Sequence, residues 1–267
     1  MAHGFSYMNT ESPVSMSKIQ LGLEISKESI LCRGNDGING TVSIEIQNDE
    51  KKAMLRIANE VSKVAISRGR TDTKLNFEYG LFGDGIPALC CYPEHKENLP
   101  LIFLNHGTAG DGISMLFMGL PLAQEGFFVI MPDARYHGMR GLKDFSYQVL
   151  GKDYKRKYLE VLTGTAEDIT KLIDVFENDR RIDKNKIGIA GTSQGGFVTF
   201  MAITKDKRLK AAAPMIATPD LEDKYGFSPD FTELSEDIKA EVIKNSPYRN
   251  YENMLFVDLL IQNGADD

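Results

Sequence analysis

The chain has 267 residues, 42% of them hydrophobic and 26% charged, too apolar for a disordered chain and long enough to bury a large core. Its 31 Lys and Arg are scattered among 38 Asp and Glu for a net charge of −7, so no basic stripe is present to track a phosphate backbone and nucleic acid is excluded as a partner. Residues 1–20 lack a basic region followed by an apolar one, and runs such as Leu101–Leu104 and Phe127–Met131 are too short to span a bilayer, which gives the expectation of a soluble, cytoplasmic protein with no membrane association.

The three cysteines, Cys32, Cys90 and Cys91, and the four histidines, His3, His95, His106 and His137, show no metal-ligand spacing, so neither a metal nor another cofactor is assigned. On a strand the adjacent Cys90 and Cys91 point to opposite faces and read as space-filling thiols. Nothing in the sequence decides the oligomeric state.

α/β folds often take about 200–250 residues as one domain, so the expectation is an N-terminal appendage at 1–73 and one core at 74–267. In the appendage, residues 1–19 are polar and aperiodic, Val42, Ile44 and Ile46 alternate as in a half-buried strand, and Met54, Ile57, Ala58, Val61, Val64 and Ala65 recur at helical spacing over 51–66. From Lys74 onward the pattern changes. Leu75–Phe82 and Ile86–Tyr92 flank Gly83-Asp84-Gly85 as a hairpin, and Leu101–Asn105 and Phe127–Met131 read as strands buried on both faces. Ile113–Gln124 can form a helix between them. Thr165 stands three residues before Asp168 as a helix cap ahead of Ile169, Leu172, Ile173 and Phe176. Lys186–Ala190 is the next strand, Phe197–Thr204 a helix after a Gly pair, and Leu209–Ile216 and Leu255–Gln262 two further strands. This alternation predicts an α/β fold: a mostly parallel sheet with helices on both faces, plus a small N-terminal α+β appendage.

Gly191-Thr192-Ser193-Gln194-Gly195 matches G-x-S-x-G directly between a strand and a helix. A strand that reverses into a helix within a few residues leaves no room for side chains at Gly191 and Gly195, and it aims the Ser193 hydroxyl away from the sheet. The helix starts beneath that hydroxyl, so the N–H of Gln194 is the natural donor to an oxyanion forming there. His106-Gly107-Thr108-Ala109-Gly110 follows a second strand, where a loop opened by Gly107 lets the N–H of Thr108 reach the same anion. The loop lacks the Gly-Lys-Ser/Thr ending of a phosphate loop.

The segments LIFLNHGTAG (101–110), GFFVIMPDARYHG (126–138) and IGIAGTSQGG (187–196) together resemble the α/β-hydrolase superfamily, in the branch of dienelactone-hydrolase-like esterases and prolyl-oligopeptidase-type domains. The resemblance covers about 85–267. It implies Ser193 as nucleophile, an oxyanion loop at His106-Gly107, and a structural or pocket role for His137. It also implies an acid after the strand Leu255–Gln262, where Asn263-Gly264-Ala265-Asp266-Asp267 places Asp267 in the acid position and Asp266 one register away. Asp220 and Asp223, after the preceding strand, are weaker candidates.

The family order is Ser, acid, His, yet no histidine follows Ser193. Without a base, turnover falls by a factor on the order of 10⁶, so the chain is expected to be a nearly inactive fragment lacking a C-terminal strand and helix. Sequence beyond residue 267 should then supply a Gly- or Ser-flanked His within roughly 20–60 residues. The leading reading is a serine hydrolase taking a small-molecule ester or related acyl substrate. A peptidase uses the same residues but usually carries a propeller, for which 73 residues are too few. The reading from another class is a catalytically silent binding protein of the same fold.

Overall fold

The computed structural model describes residues 19–25, 30–34, 56–57, 74–141, 151–223, 226–227 and 231–264. The strand at 42–46, all of the helix at 51–66 except Arg56 and Ile57, and the candidate acids Asp266 and Asp267 lie outside the described residues.

Nine described strands form one sheet: β1 (Ile19–Ile25), β2 (Ile30–Gly34), β3 (Leu75–Phe82), β4 (Ile86–Pro93), β5 (Leu99–Asn105), β6 (Phe128–Pro132), β7 (Ile182–Thr192), β8 (Leu209–Met215) and β9 (Asp258–Leu259), in the order β2-β1-β3-β4-β6-β5-β7-β8-β9. β1 pairs antiparallel with β2 and β3, and β4 antiparallel with β3 and β6, while the pairings from β6 to β9 are parallel. Only β1 and β4 therefore run against the other seven, and the sheet is mixed but mostly parallel. The β3–β4 hairpin closes as expected, with Phe82 opposite Ile86 and Gly83 and Gly85 both at positive φ. β1, in which Ile19, Leu21, Leu23 and Ile25 alternate with Gln20, Gly22 and Glu24, and β2 extend this sheet at its antiparallel edge, two strands that the sequence expectations did not include.

Four described α-helices accompany the strands: α1 (Leu116–Gln124), α2 (Tyr154–Phe176), α3 (Gln194–Lys205) and α4 (Glu236–Asn245). Two apolar clusters divide the core by sheet face. One packs α2 and α3 against Cys90, Leu101, Phe103, Ile130, Ile187 and Ile189; the other packs α1 and Ile57 against Phe77, Leu89, Cys91, Leu104, Val129 and Met131. Cys90 and Cys91 fall in different clusters, as strand alternation requires. α3 is buried from Gln194 to Ile203. That burial is why its Phe and Val residues sit in a helix despite their strand preference: packing overrides propensity.

Two sequence expectations are corrected. Thr165 does not cap a helix: α2 begins eleven residues earlier, at Tyr154, and Thr165 lies inside it with 2% of its surface exposed. The polar residues ahead of Thr165 form the solvent side of α2, whose buried side includes Leu159, Val161 and Leu162. The last strand is also shorter than Leu255–Gln262. A 3₁₀ turn over Tyr251–Met254 continues through the Val257 N–H to Met254 O bond, so the ladder starts only at Asp258. Beyond Leu259 it persists as separate bonds, Leu260 N–H to Ala212 O (2.9 Å) and Gln262 N–H to Pro214 O (3.1 Å).

Candidate active site

β5 and β7 are parallel neighbours, and their register runs unbroken from Leu101 opposite Ile187 to Asn105 opposite Gly191. The chain leaves both strands at their C-terminal ends, so residues two positions further on, Gly107 and Ser193, come together. A Cβ placed on Gly107 would lie 3.7 Å from the Ser193 Cβ and 3.3 Å from Thr192 O.

Ser193 joins β7 to α3 with φ 55° and ψ −117°, a backbone conformation that L residues seldom adopt and that the surroundings must enforce. The enforcement is visible. Its N–H donates to Met215 O (2.8 Å), and its C=O accepts from the N–H groups of Gly196 (2.8 Å) and Phe197 (3.1 Å). The two motif glycines are demanded by close approach, because a Cβ on Gly191 would stand 2.2 Å from Gly195 O and one on Gly195 would stand 2.2 Å from Asn105 O. Ser193 itself is half-buried, outside the helix it precedes.

Gln194 is the first residue of α3, so its N–H has no intrahelical partner and carries the positive end of the helix dipole. Its side chain is fully buried and reaches the loop after β5: Thr108 Oγ1 donates a long hydrogen bond to Gln194 Oε1 (3.4 Å), while Gln194 Nε2 has no partner among the described residues. Thr108 also hydrogen-bonds the Tyr158 hydroxyl of α2, whose pKa burial pushes up to about 12.

His106 is buried at 2% exposure. Its Nε2 accepts the Ala134 N–H (3.0 Å), so the ring proton sits on Nδ1 and is donated to Gly107 O at 2.8 Å. Burial lowers its pKa to about 4, with the nearby His137 adding to the effect and the Gly107 bond and Asp111 opposing it. His137 is also buried, with Nδ1 2.8 Å from Arg135 O and a pKa held below the usual range by burial.

The loop Pro132–Gly138 carries residues that local reading missed. Buried Asp133 receives the Gly112 N–H on Oδ1 (2.8 Å) and the Met139 N–H on Oδ2 (2.7 Å), tying the loop after β5 to the loop after β6. Burial pushes its pKa up to about 7 against those two donors. Arg135 binds Asp168 of α2 through Nε and Nη2, both at 3.2 Å, and Arg140 Nη1 reaches the same carboxylate at 2.6 Å. Thr165 Oγ1 accepts the Arg135 N–H (3.0 Å), which is its role in place of a cap. The run Asp133-Ala134-Arg135 was a signal for this network, but its partners are distant in sequence.

Among the acid candidates, Asp220 spends Oδ1 on the Glu222 N–H (2.9 Å) in a local turn, and the C=O of exposed Asp223 accepts the Gly226 N–H (2.8 Å). Asn263 exchanges two bonds with Ala217, Oδ1 with its N–H (3.1 Å) and Nδ2 with its C=O (3.2 Å). That clamp holds Asn263 beside the end of β8, the strand that also accepts the Ser193 N–H.

A model of the prolyl oligopeptidase family matches residues 117–267. The chain belongs to that family. Its fold is shared with dipeptidyl peptidase 4 of Porphyromonas gingivalis (TM-score 0.54, 18% identity, 72% of this chain and 28% of that one) and with TT1662 of Thermus thermophilus (TM-score 0.55, 16% identity, 72% and 90%). In sequence it is similar to YitV of Bacillus subtilis, 27% identical over 180 residues covering 67% of this chain and 68% of that protein. It is also similar to the esterase YjfP of Escherichia coli, 23% identical over 135 residues covering 50% and 52%. The chain thus spans about half the length of the second relative. Family membership places it in the α/β-hydrolase superfamily. No described helix is long and apolar enough to cross a membrane.

Proposed function

We propose that Ser193 is the nucleophile of a serine hydrolase that cleaves a carboxylic ester or related acyl bond. Ser193 attacks the carbonyl carbon, and the N–H groups of Gln194 and Thr108 receive the negative charge of the tetrahedral intermediate. Taking the serine proton and returning it to the leaving alcohol falls to a histidine base that is assigned to no described residue, with Asp267 orienting that ring, and water then releases the acyl group from Ser193. The observation carrying this reading is the strained Ser193 backbone at the start of α3, beside Gly107. Among the described residues, His106 has both ring nitrogens committed and His137 has Nδ1 committed, so neither is assigned as the base. The similarity to the esterase YjfP supports an ester substrate. The family match favours a second reading, hydrolysis of peptide bonds by the same residues.

The test uses the full-length gene product with a fluorophosphonate, a p-nitrophenyl acyl ester and a prolyl p-nitroanilide. The expected result is labelling of Ser193, abolished in Ser193→Ala, with faster turnover of the ester. Failure of the wild type to label, or labelling that survives in Ser193→Ala, overturns the mechanism; preferential cleavage of the anilide overturns the substrate class.

A further inference from the structure

Four of the six non-glycine residues with positive φ among the described residues follow four neighbouring strands at one edge of the sheet: Ala109 after β5, Tyr136 after β6, Ser193 after β7 and Ile216 after β8. Ile216, at φ 54°, is the β-branched residue of the four, and for such a side chain the left-handed region is a genuine outlier. Its surroundings hold it there. Met215 O accepts the Ser193 N–H, the Ile216 N–H donates to Gln262 O (2.8 Å), and Ala217 is bonded through both its N–H and its C=O to the Asn263 side chain. Buried Ala217 also packs on the first turn of α3, where a Cβ on Gly196 would stand 2.7 Å from the Ala217 Cβ. Between these fixed neighbours Ile216 itself is 52% exposed. Packing does not account for a strained backbone that leaves a branched apolar residue half in water, and strain of this kind clusters where ligands bind.

The register places Ile216 relative to the serine. Thr192 lies opposite Met215 in the parallel pairing of β7 with β8, so one residue further on Ile216 stands level with Ser193, about one strand spacing (~4.8 Å) away. On the β5 side Ser193 has Gly107, which brings backbone and no side chain. Ser193 therefore has two unlike flanks: backbone towards β5, and a branched hydrocarbon side chain towards β8.

We propose that Ile216 is a specificity-determining residue: its side chain packs against a hydrocarbon chain of the ester held at Ser193, and the substrate class is an ester with an apolar chain next to the scissile bond. This rests on the Ser193 reading above and adds the character of the substrate to it. The carbonyl oxygen goes to the N–H groups of Gln194 and Thr108, and the hydrocarbon goes to the opposite flank, where burying it against Ile216 removes apolar surface of both from water.

The test compares the full-length gene product with its Ile216→Asn variant on two series, p-nitrophenyl acylates from acetate to hexanoate and alkyl acetates from ethyl to hexyl. Asn tolerates the left-handed backbone and removes the apolar wall. One methylene in an apolar pocket is worth about 10- to 200-fold in kcat/KM, and a wall on one side is expected to give the low end of that range. The ratio of long-chain to short-chain kcat/KM should thus fall about 10-fold in at least one series: the acylates if the chain is on the acyl side, the acetates if it is on the alcohol side. Neither ratio moving in an active variant overturns the inference and leaves Ser193 as nucleophile intact. A wild type that turns over neither series and does not label with the fluorophosphonate overturns the nucleophile instead.

Ile216→Val covers the case in which the Asn variant does not fold, since it keeps the branch at Cβ and removes one methylene; it is expected to lower the same ratio about two- to threefold, and an unchanged ratio overturns the inference. Thermal unfolding gives a readout apart from turnover. A side chain kept for substrate predicts that Ile216→Asn melts no lower than wild type, because backbone strain is relieved. A lower melting temperature with both ratios unchanged makes Ile216 a packing residue and overturns the inference.

Discussion

Replacing Ser193 by Gly should make the protein more stable than replacing it by Ala. Both variants lose the hydroxyl, so the comparison isolates the backbone, which at φ 55° and ψ −117° suits only a residue without Cβ. Such conformations cost of order 1–3 kcal/mol each. Glycine offsets part of the relief through the greater entropy of its unfolded chain, about 0.4–1 kcal/mol. The lost Cβ contact is the remaining debit, and at a half-buried position it is a fraction of the ~0.8 kcal/mol of a buried CH₂. Strain relief wins by about 1 kcal/mol. With an unfolding entropy of roughly 2.1 cal/mol/K per residue over 267 residues, that is about 2 °C in Tm. Thermal unfolding followed by circular dichroism, with the two variants in the same buffer and at the same scan rate, measures it. If Ser193→Ala unfolds at the same temperature as Ser193→Gly or higher, the elbow is not strained as argued.

Gly195→Ala should destabilise by about 3 kcal/mol or more, since its Cβ would meet the backbone oxygen of Asn105 at 2.2 Å and a strand cannot give way as a side chain can; an unchanged urea midpoint contradicts this. Asp168→Ala removes a carboxylate that is only 3% exposed from Arg135 and Arg140. Breaking a buried pair costs about 3–5 kcal/mol, discounted here to about 2–4 because both guanidinium groups keep some solvent contact, and a shift in urea midpoint with constant m reads it. Acid should destabilise the protein through His106. Its folded pKa of about 4 lies below the 6.5 of a free imidazole, so the unfolded chain binds the proton first and stability falls as pH drops from about 6.5 to 4. The total is about 3 kcal/mol. Asp133, raised to about 7, has the opposite slope because its folded form holds the proton longer. The difference between wild type and His106→Asn therefore isolates the histidine, and a pH-independent difference over that interval refutes the assignment.

The elbow was legible because everything that makes it lies within five consecutive residues. Gly191, Ser193 and Gly195 report a crowded reversal through their spacing alone, and the preceding Ile187–Ala190 and following apolar run supply the strand and helix. The start of α2 was not legible. Its first turns carry the charged residues of a solvent face, so the buried side is diluted, and the Thr165-to-Asp168 spacing imitated a cap while both residues faced the loop after β6. That Arg135–Asp168 link spans 33 residues, and no local period encodes which carboxylate a distant guanidinium will meet. The last strand was overextended for a related reason. Leu255–Gln262 has strand composition, but the residues from Tyr251 form a short turn whose final bond consumes the Val257 N–H, leaving pairing with β8 to begin at Asp258.

The candidate site is made chiefly of backbone, and this explains how a few glycines determine it. Parallel neighbours β5 and β7 end level with one another, Asn105 opposite Gly191, so each delivers its exiting loop to the same point beyond the sheet, where ligands of open α/β sheets bind. Gly195 lets α3 start close enough to touch Asn105 O, which fixes where the free N–H of Gln194 lies relative to the end of β5. Gly107 lets the β5 loop lie against Ser193 in return. A strand register slips in whole residues, about 3.3 Å at a time. A one-residue slip between β5 and β7 would move Gly107 past Ser193 and bring His106 or Thr108 against it instead. The unbroken register from Leu101 to Asn105 is therefore the element on which the approach of Gly107 to Ser193 depends, and the irregularity in β7 lies upstream, before Ile187, where it does not disturb that approach.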